Sequence, residues 1–259
     1  MNPRLAPLML IVLGACNLVH AQEQRRVSFI TCPVYRDTDA GKKSGCWLAD
    51  DRASGSRYDV SLAPTKPDWN REILVEGRIT SGSQDACGGI VLDPVRVSVL
   101  PGVCVPKMLP AEGHPGRKFV LPPRNLRPPG EPRPQPQRPY TDKIFYLFYD
   151  FNSDFLVYQL DDFFLDRAVS YIRAVSPRKI TVTGFAATGA MTVSGRELRE
   201  PPSIAQQRAA MIGESLRRLG VPAEIMQLKW QSASGPVNVE EADGLPQSSR
   251  RRVEIVVEM

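Results

Sequence analysis

The sequence predicts an α+β protein with two folded segments that a proline-rich linker separates. Residues 25–105 carry short β-like runs with Gly and Asp between them, which favours a small all-β domain. Residues 141–259 alternate strand and helix patterns in the order βαβαββ, which is typical of a sandwich with helices on one face of a mixed sheet. The linker, residues 106–140, contains eleven prolines and can build neither a sheet interior nor a continuous helix, because proline lacks the backbone N–H.

The N-terminus has the composition of a secretory signal. Arg4 precedes an apolar run, residues 5–15, that is too short to span a membrane. Two cleavage sites remain open: one after Ala21, which makes residues 1–21 a signal peptide, and one before Cys16 in a lipoprotein-type motif, which makes Cys16 a lipidation site. Both predict an exported protein. Membrane contact is expected only through a lipid anchor on Cys16.

Four cysteines remain in the exported chain: Cys32, Cys46, Cys87 and Cys104. In an oxidising compartment they predict two disulfides. Of the three possible connectivities we expect the local one, which pairs Cys32 with Cys46 and Cys87 with Cys104. A zinc site is the alternative, but no CxxC pair occurs, and neither a metal nor another cofactor is predicted.

Within residues 25–105, four runs have the composition of strands. They lie at residues 27–31, 58–62, 73–79 and 90–100. Short strands at this spacing predict a small barrel or sandwich, with an OB-like barrel as one form. We expect this domain to be the contact surface for an envelope protein partner.

Positive charge is concentrated in the linker. The formal net charge of the chain is +5, and the stretch from Arg117 to Arg138 carries six basic residues against Glu131. The folded segments are therefore close to neutral, which argues against nucleic acid as a partner. We interpret the linker as a solvated spacer in extended polyproline II conformation. A spacer that also rests on anionic lipid or cell-wall polymer is the alternative.

The C-terminal segment shows its elements one after another. Two amphipathic helical patterns alternate with the strands, and the second ends at Gly220, the residue type that commonly terminates helices. The strand patterns lie at residues 144–149, 179–185, 225–230 and 252–257.

Motifs in this segment resemble those of the OmpA-like domain, a bacterial module that holds peptidoglycan. The resemblance covers residues 141–259 and implies a Gram-negative envelope protein, periplasmic or associated with the outer membrane or cell wall. It rests on an FxFD-like turn at residues 146–153, on Val182-Thr183-Gly184-Phe185-Ala186, on Arg208-Ala209 and on Arg251-Arg252 before Val-Glu-Ile. Where the family usually has a ligand-binding aspartate, this chain has Ala187.

The resemblance implies a ligand, the diaminopimelate residue of the peptidoglycan stem peptide, which presents an ammonium and a carboxylate. A guanidinium suits the carboxylate, since charge-assisted bidentate pairs both bind and orient it. By resemblance Arg208 takes this role, and Gly184, Phe185, Ala186 and Ala187 line the pocket.

Ala187 cannot pair with the ligand's ammonium. Loss of one partner of a shielded pair costs a few kcal/mol, which is about one to three orders of magnitude in affinity. The loop after Ala187 is longer than usual, and one hypothesis is that Glu197 or Glu200 folds back to replace the lost carboxylate. The alternative is that both are exposed loop charges.

Two functions follow. The first is a tether, in which the C-terminal domain docks non-covalently on peptidoglycan and the linker bridges distance. The second is an interaction component of an envelope or secretion complex, in which the OmpA-like fold is a scaffold with a degenerate pocket. No enzymatic activity is predicted: the only histidine beyond residue 21 is His114, in the linker, which leaves no Ser-His-Asp or Cys-His arrangement on a folded element.

Overall fold

A computed structural model describes residues 26–39, 45–80, 87–117, 135–156, 160–232, 235–237 and 245–259. The predicted signal segment, with Cys16 and both cleavage sites, lies outside these residues, as do residues 118–134 in the middle of the linker. Among the described residues, no helix is both long enough and apolar enough to cross a membrane.

The N-terminal part is a seven-stranded sheet. Its strands are β1 (Arg26–Thr31), β2 (Pro33–Arg36), β3 (Cys46–Asp51), β4 (Ser56–Asp59), β5 (Arg71–Ile79), β6 (Ile90–Val103) and β7 (Lys107–Leu109). The predicted runs 27–31, 73–79 and 90–100 fall on β1, β5 and β6, whereas the run 58–62 overlaps β4 only at residues 58–59. Strands β2, β3 and β7 were not expected, and β7 lies in the segment assigned to the linker and pairs with β2 in parallel.

This sheet is open. Its strand order is β1-β5-β6-β4-β3-β2-β7, so β1 and β7 are its two ends and do not pair with each other in the part of the chain that the structure describes. The OB-like barrel is therefore not formed. Strand composition indicates which segments extend, whereas closure depends on the register of non-local pairs, which composition does not encode.

The disulfide pairing differs from the local one that we expected. Two disulfides do form, but Cys32 bonds to Cys104 and Cys46 bonds to Cys87. Cys46 lies opposite Arg36, the last residue of β2, which keeps it away from Cys32, the residue before β2. The parallel pairing of β2 with β7 instead brings Cys104 to Cys32, at a Cα–Cα distance of 5.7 Å.

The C-terminal part has the predicted βαβαββ order, with one addition. Its elements are β8 (Lys143–Phe148), α1 (Leu160–Val175), β9 (Lys179–Phe185), β10 (Met191–Val193), β11 (Arg196–Leu198), α2 (Ser203–Arg218), β12 (Met226–Gln231) and β13 (Arg252–Glu258). Strands β12, β9, β13 and β8 form a mixed sheet in that order. The hairpin of β10 and β11 is the addition, and it occupies the long loop after Ala187.

Both helices share one apolar core with this sheet. The core contains Leu165 and Ile172 from α1, Ile212 and Leu216 from α2, and Val182 from β9 among others. Helix α2 approaches β9 very closely, because a Cβ on Gly184 would lie 2.0 Å from the carbonyl oxygen of Ala205. Only glycine fits there, and this contact fixes the start of α2 beside the end of β9.

The hairpin packs on the N-terminal sheet. One apolar cluster combines Ile30, Leu74 and Leu100 of that sheet with Phe151, Val193 and Leu198 of the C-terminal part. The backbone N–H of Ile30 also donates to Ser194 Oγ, at 2.9 Å, in the hairpin turn. The two folded parts are therefore in direct contact, although the linker separates them in sequence.

Candidate functional site

The structure brings the predicted pocket residues together at one end of the C-terminal sheet. Gly184 and Phe185 end β9, and Ala186 and Ala187 follow them. Arg208 lies on the buried face of α2, one and a half turns from its start, and its Nη1 donates to the carbonyl of Phe185 at 2.8 Å.

Arg208 does not face solvent. Its side chain and that of Glu200 are both 0% exposed, and together they form an ion pair. Arg208 Nη2 donates to Glu200 Oε1 at 2.6 Å, and Nη1 donates to Oε2 at 3.0 Å. This is the bidentate geometry that a guanidinium makes with a carboxylate ligand.

All donors of Arg208 are used inside the protein. A guanidinium has five N–H groups. Two of them donate to Glu200, and the other three donate to the backbone carbonyls of Asp150, Ser153 and Phe185. The face of the guanidinium also lies 4.9 Å from the ring centroid of Tyr149. No N–H of Arg208 is left for a ligand in this arrangement.

Glu200 is satisfied just as fully. Besides the two bonds from Arg208, Oε2 accepts the N–H of Ala187 at 2.7 Å and Oε1 accepts the N–H of Asn152 at 2.8 Å. Glu200 thus folds back, but onto Arg208 and the backbone of Ala187. Glu197 does not: it lies exposed on β11 and pairs with Arg199.

Two further buried ion pairs cross between the folded parts. Arg251, directly before β13, pairs with Glu76 of β5 through both of its Nη atoms. Arg96 of β6 lies 3.7 Å from the carboxylate of Asp150, which follows β8. Glu76 and Arg96 are directly opposite each other in the β5–β6 register, so both pairs lie side by side. Burial raises the pKa of Asp150, an effect that Arg96 and a hydrogen bond from Thr65 only partly offset.

Sequence reasoning missed Glu76, Asp150, Asn152 and Ser153 as parts of this cluster. Glu76 gave a signal, since it is a lone carboxylate within the apolar run of β5, where an unpaired charge is strongly disfavoured. Asn152 and Ser153 contribute backbone groups, which have no signature in the sequence.

A cavity of about 330 Å³ opens next to this cluster. Ala187, Gly189, Thr192, Gln247 and Arg250 are among its lining residues, whereas Arg208 and Glu200 are not. The open space beside Ala187 is therefore separate from Arg208, although Arg251 is among its lining residues.

Neither a protein-family model nor a curated protein matches this chain. Solved structures do match. The OmpA-like domain of FopA1 from Francisella tularensis is 18% identical, with 45% of this chain and 71% of that chain covered and a TM-score of 0.34. The peptidoglycan-associated lipoprotein from Burkholderia pseudomallei is 21% identical, with 44% and 90% covered and a TM-score of 0.34. The cell wall anchor of the type VI secretion system from Pseudomonas aeruginosa is 20% identical, with 45% and 81% covered and a TM-score of 0.35.

Proposed function

We propose that this protein is an exported cell-envelope component whose C-terminal OmpA-like fold works as a closed scaffold for protein–protein assembly. The observation that carries the proposal is the buried pair of Arg208 and Glu200. The pocket lacks both halves of the chemistry that a diaminopimelate ligand needs. Ala187 offers no carboxylate to the ammonium, and Arg208 already holds a carboxylate.

A ligand would have to displace Glu200, and the competition is unequal. Glu200 is held in the same chain, so its effective concentration at Arg208 is at least that of a short tether, on the order of millimolar. A ligand carboxylate would make the same bidentate pair that Glu200 makes, with no gain in contacts. Exchange is therefore unfavourable unless the position of Glu200 itself is disturbed.

The contact between the two folded parts supports a scaffold as well. The buried pairs Arg251–Glu76 and Arg96–Asp150 fix one relative orientation, because separation of either pair by a small shift leaves charges without partners. We place the partner surface on residues 25–105, and we place the protein in the periplasm, associated with the outer membrane or cell wall. A lipid anchor on Cys16 is the proposed membrane contact, and binding rather than catalysis is the proposed task.

A tether to peptidoglycan is the second candidate. It is favoured by one observation: the residues of the OmpA-like motifs, from Gly184 to Ala187 and Arg208, lie together in space at the end of β9. In this candidate, Arg208 exchanges Glu200 for the carboxylate of the stem peptide.

Co-sedimentation with insoluble diaminopimelate-type peptidoglycan separates the two functions. The experiment uses the chain from Gln22 onward, with Arg208→Ala and the control Arg218→Ala, an arginine on the same helix whose side chain is 74% exposed. We expect no more of the wild-type chain in the pellet than of an unrelated protein. Wild-type chain in the pellet, lost in Arg208→Ala but kept in Arg218→Ala, would establish the tether instead. Circular dichroism of each variant shows whether it is folded.

A further inference from the structure

We infer that the hairpin of β10 and β11 is a latch that makes the Arg208 site dependent on the N-terminal sheet. With the hairpin docked on that sheet, Glu200 occupies Arg208; with the hairpin undocked, Arg208 accepts a carboxylate from another molecule. The inference rests on the proposed function, since it takes the closed site as the resting state and adds a means of opening it.

The hairpin belongs to the C-terminal part but is held by the N-terminal one. Ser194 in its turn accepts the N–H of Ile30 at 2.9 Å, and Arg196 pairs with Glu72 of β5 at 2.5 Å. Val193 and Leu198 complete the apolar cluster with Ile30, Leu74 and Leu100. The turn itself is tight, with Ser194 and Gly195 both at positive φ, so the hairpin moves as one piece.

The connection from the hairpin to Glu200 is short. Leu198 ends β11 inside the apolar cluster, and only Arg199 lies between it and Glu200. Two residues reach at most about 7 Å, so they cannot absorb a large displacement. On the other side, Pro201 and Pro202 restrict the backbone between Glu200 and α2. When the hairpin leaves the sheet, its movement is therefore transmitted to Glu200.

The site that Glu200 vacates is already shaped for a carboxylate. Four N–H groups converge there: two from Arg208, one from Ala187 and one from Asn152. The guanidinium stays fixed without Glu200, because it also donates to the carbonyls of Ser153 and Phe185 at 2.8 Å each. Such preorganised, charge-assisted donors favour a bidentate carboxylate over other anions of different shape.

Hydrogen exchange tests the coupling in the full chain. The double variant Glu72→Ala/Ser194→Ala removes both polar contacts of the hairpin with β1 and β5 and touches neither Arg208 nor Glu200. The control is Glu197→Ala, an exposed glutamate on the same hairpin. We expect exchange of the Ala187 and Asn152 amides to become at least about tenfold faster in the double variant and to be unchanged in the control. The latch is refuted if the amide of Ile30 exchanges faster while those of Ala187 and Asn152 do not.

Sodium acetate is the probe for the opened site, with sodium chloride at equal concentration as reference. We expect acetate to raise the melting temperature of Glu72→Ala/Ser194→Ala and of Glu200→Ala by roughly 2–4 °C and to leave the wild type unchanged. If Glu200→Ala does not fold, the melting temperature of Glu72→Ala/Ser194→Ala in acetate is the deciding measurement. If acetate raises the melting temperature of no folded variant, the latch is refuted, but the closed-scaffold proposal is unaffected. Binding of the wild-type chain to peptidoglycan would refute the closed scaffold independently.

Discussion

Replacement of Glu200 by glutamine is the sharpest test of how the Arg208 site is built. The side chain keeps its size, but the negative charge is lost and one oxygen becomes an NH2 group. Glu200 accepts four hydrogen bonds, two at each carboxylate oxygen. In glutamine the NH2 group takes the place of one oxygen and cannot accept, so the two N–H groups that donated to that oxygen face another donor. Arg208, which is 0% exposed, keeps its charge without a counter-ion.

Removal of one partner from a buried ion pair typically costs about 3–5 kcal/mol. Because glutamine still accepts at its remaining oxygen, we expect the low end of that range, about 3 kcal/mol. For a chain of this size this corresponds to a decrease in melting temperature of roughly 6–12 °C. The exposed control Glu197→Gln is expected to change stability by less than about 0.5 kcal/mol.

The assay is urea unfolding followed by both circular dichroism and tryptophan fluorescence, since coincident curves are needed before a free energy is assigned. A loss of less than about 1 kcal/mol for Glu200→Gln would refute the reasoning. It would mean that Glu200 is not the buried counter-ion of Arg208, and the closed-site proposal would fail with it.

Three further predictions concern charge and covalent links. Ala187→Asp places a second carboxylate beside Glu200, and like charges raise the pKa of one of them, so we expect a loss of about 1–3 kcal/mol in urea unfolding that grows as the pH rises. Asp150→Asn removes a carboxyl whose folded-state pKa burial raises. Because the pKa of Asp150 is higher in the folded state, the carboxyl stabilises that state below pH 3.8, and this stabilisation is lost as the pH rises through the folded-state pKa. Between these two pH values the Asp150→Asn variant should therefore lose less stability than the wild type. Cys46→Ser/Cys87→Ser opens a loop of 41 residues and should cost about 4 kcal/mol in urea unfolding.

Each of these has an outcome that contradicts it. An Ala187→Asp variant as stable as the wild type at pH 8 would show that residue 187 does not face Glu200. An identical pH dependence for Asp150→Asn would show that burial does not raise the pKa of this carboxyl in the folded chain. Non-reducing peptide mapping that links Cys46 to Cys32 would contradict the disulfide pairing directly.

The elements of the C-terminal part could be predicted because their signals are local. Gly220 ends α2 with a φ of +87°, and the N–H of Val221 bonds back to Leu216, as the sequence pattern indicates for a helix end. The pattern of residues 179–185 likewise predicts a strand, and β9 spans Lys179–Phe185. In each case the sequence signal lies in residues that are neighbours in the chain.

The predictions that the structure contradicts share a different cause, which is contact between distant segments. The disulfide pairing and the openness of the β-sheet depend on which strands become neighbours, and β2 finds β7 across more than seventy residues. The hairpin after Ala187 could be recognised as a long loop, but its packing partner, the sheet around Ile30 and Leu74, lies in the other folded part. Sequence patterns describe how one segment folds and do not describe which distant segment it contacts.

The sequence alone determined the βαβαββ order of the C-terminal part and pointed to the candidate residues Arg208, Ala187 and Glu200. Only the tertiary structure decided that Arg208 and Glu200 hold each other. Their pairing requires the hairpin to turn the chain back and the start of α2 to meet the end of β9. Electrostatics then completes it, because a guanidinium removed from water must have a carboxylate beside it, and Glu200 is the one that the fold brings there.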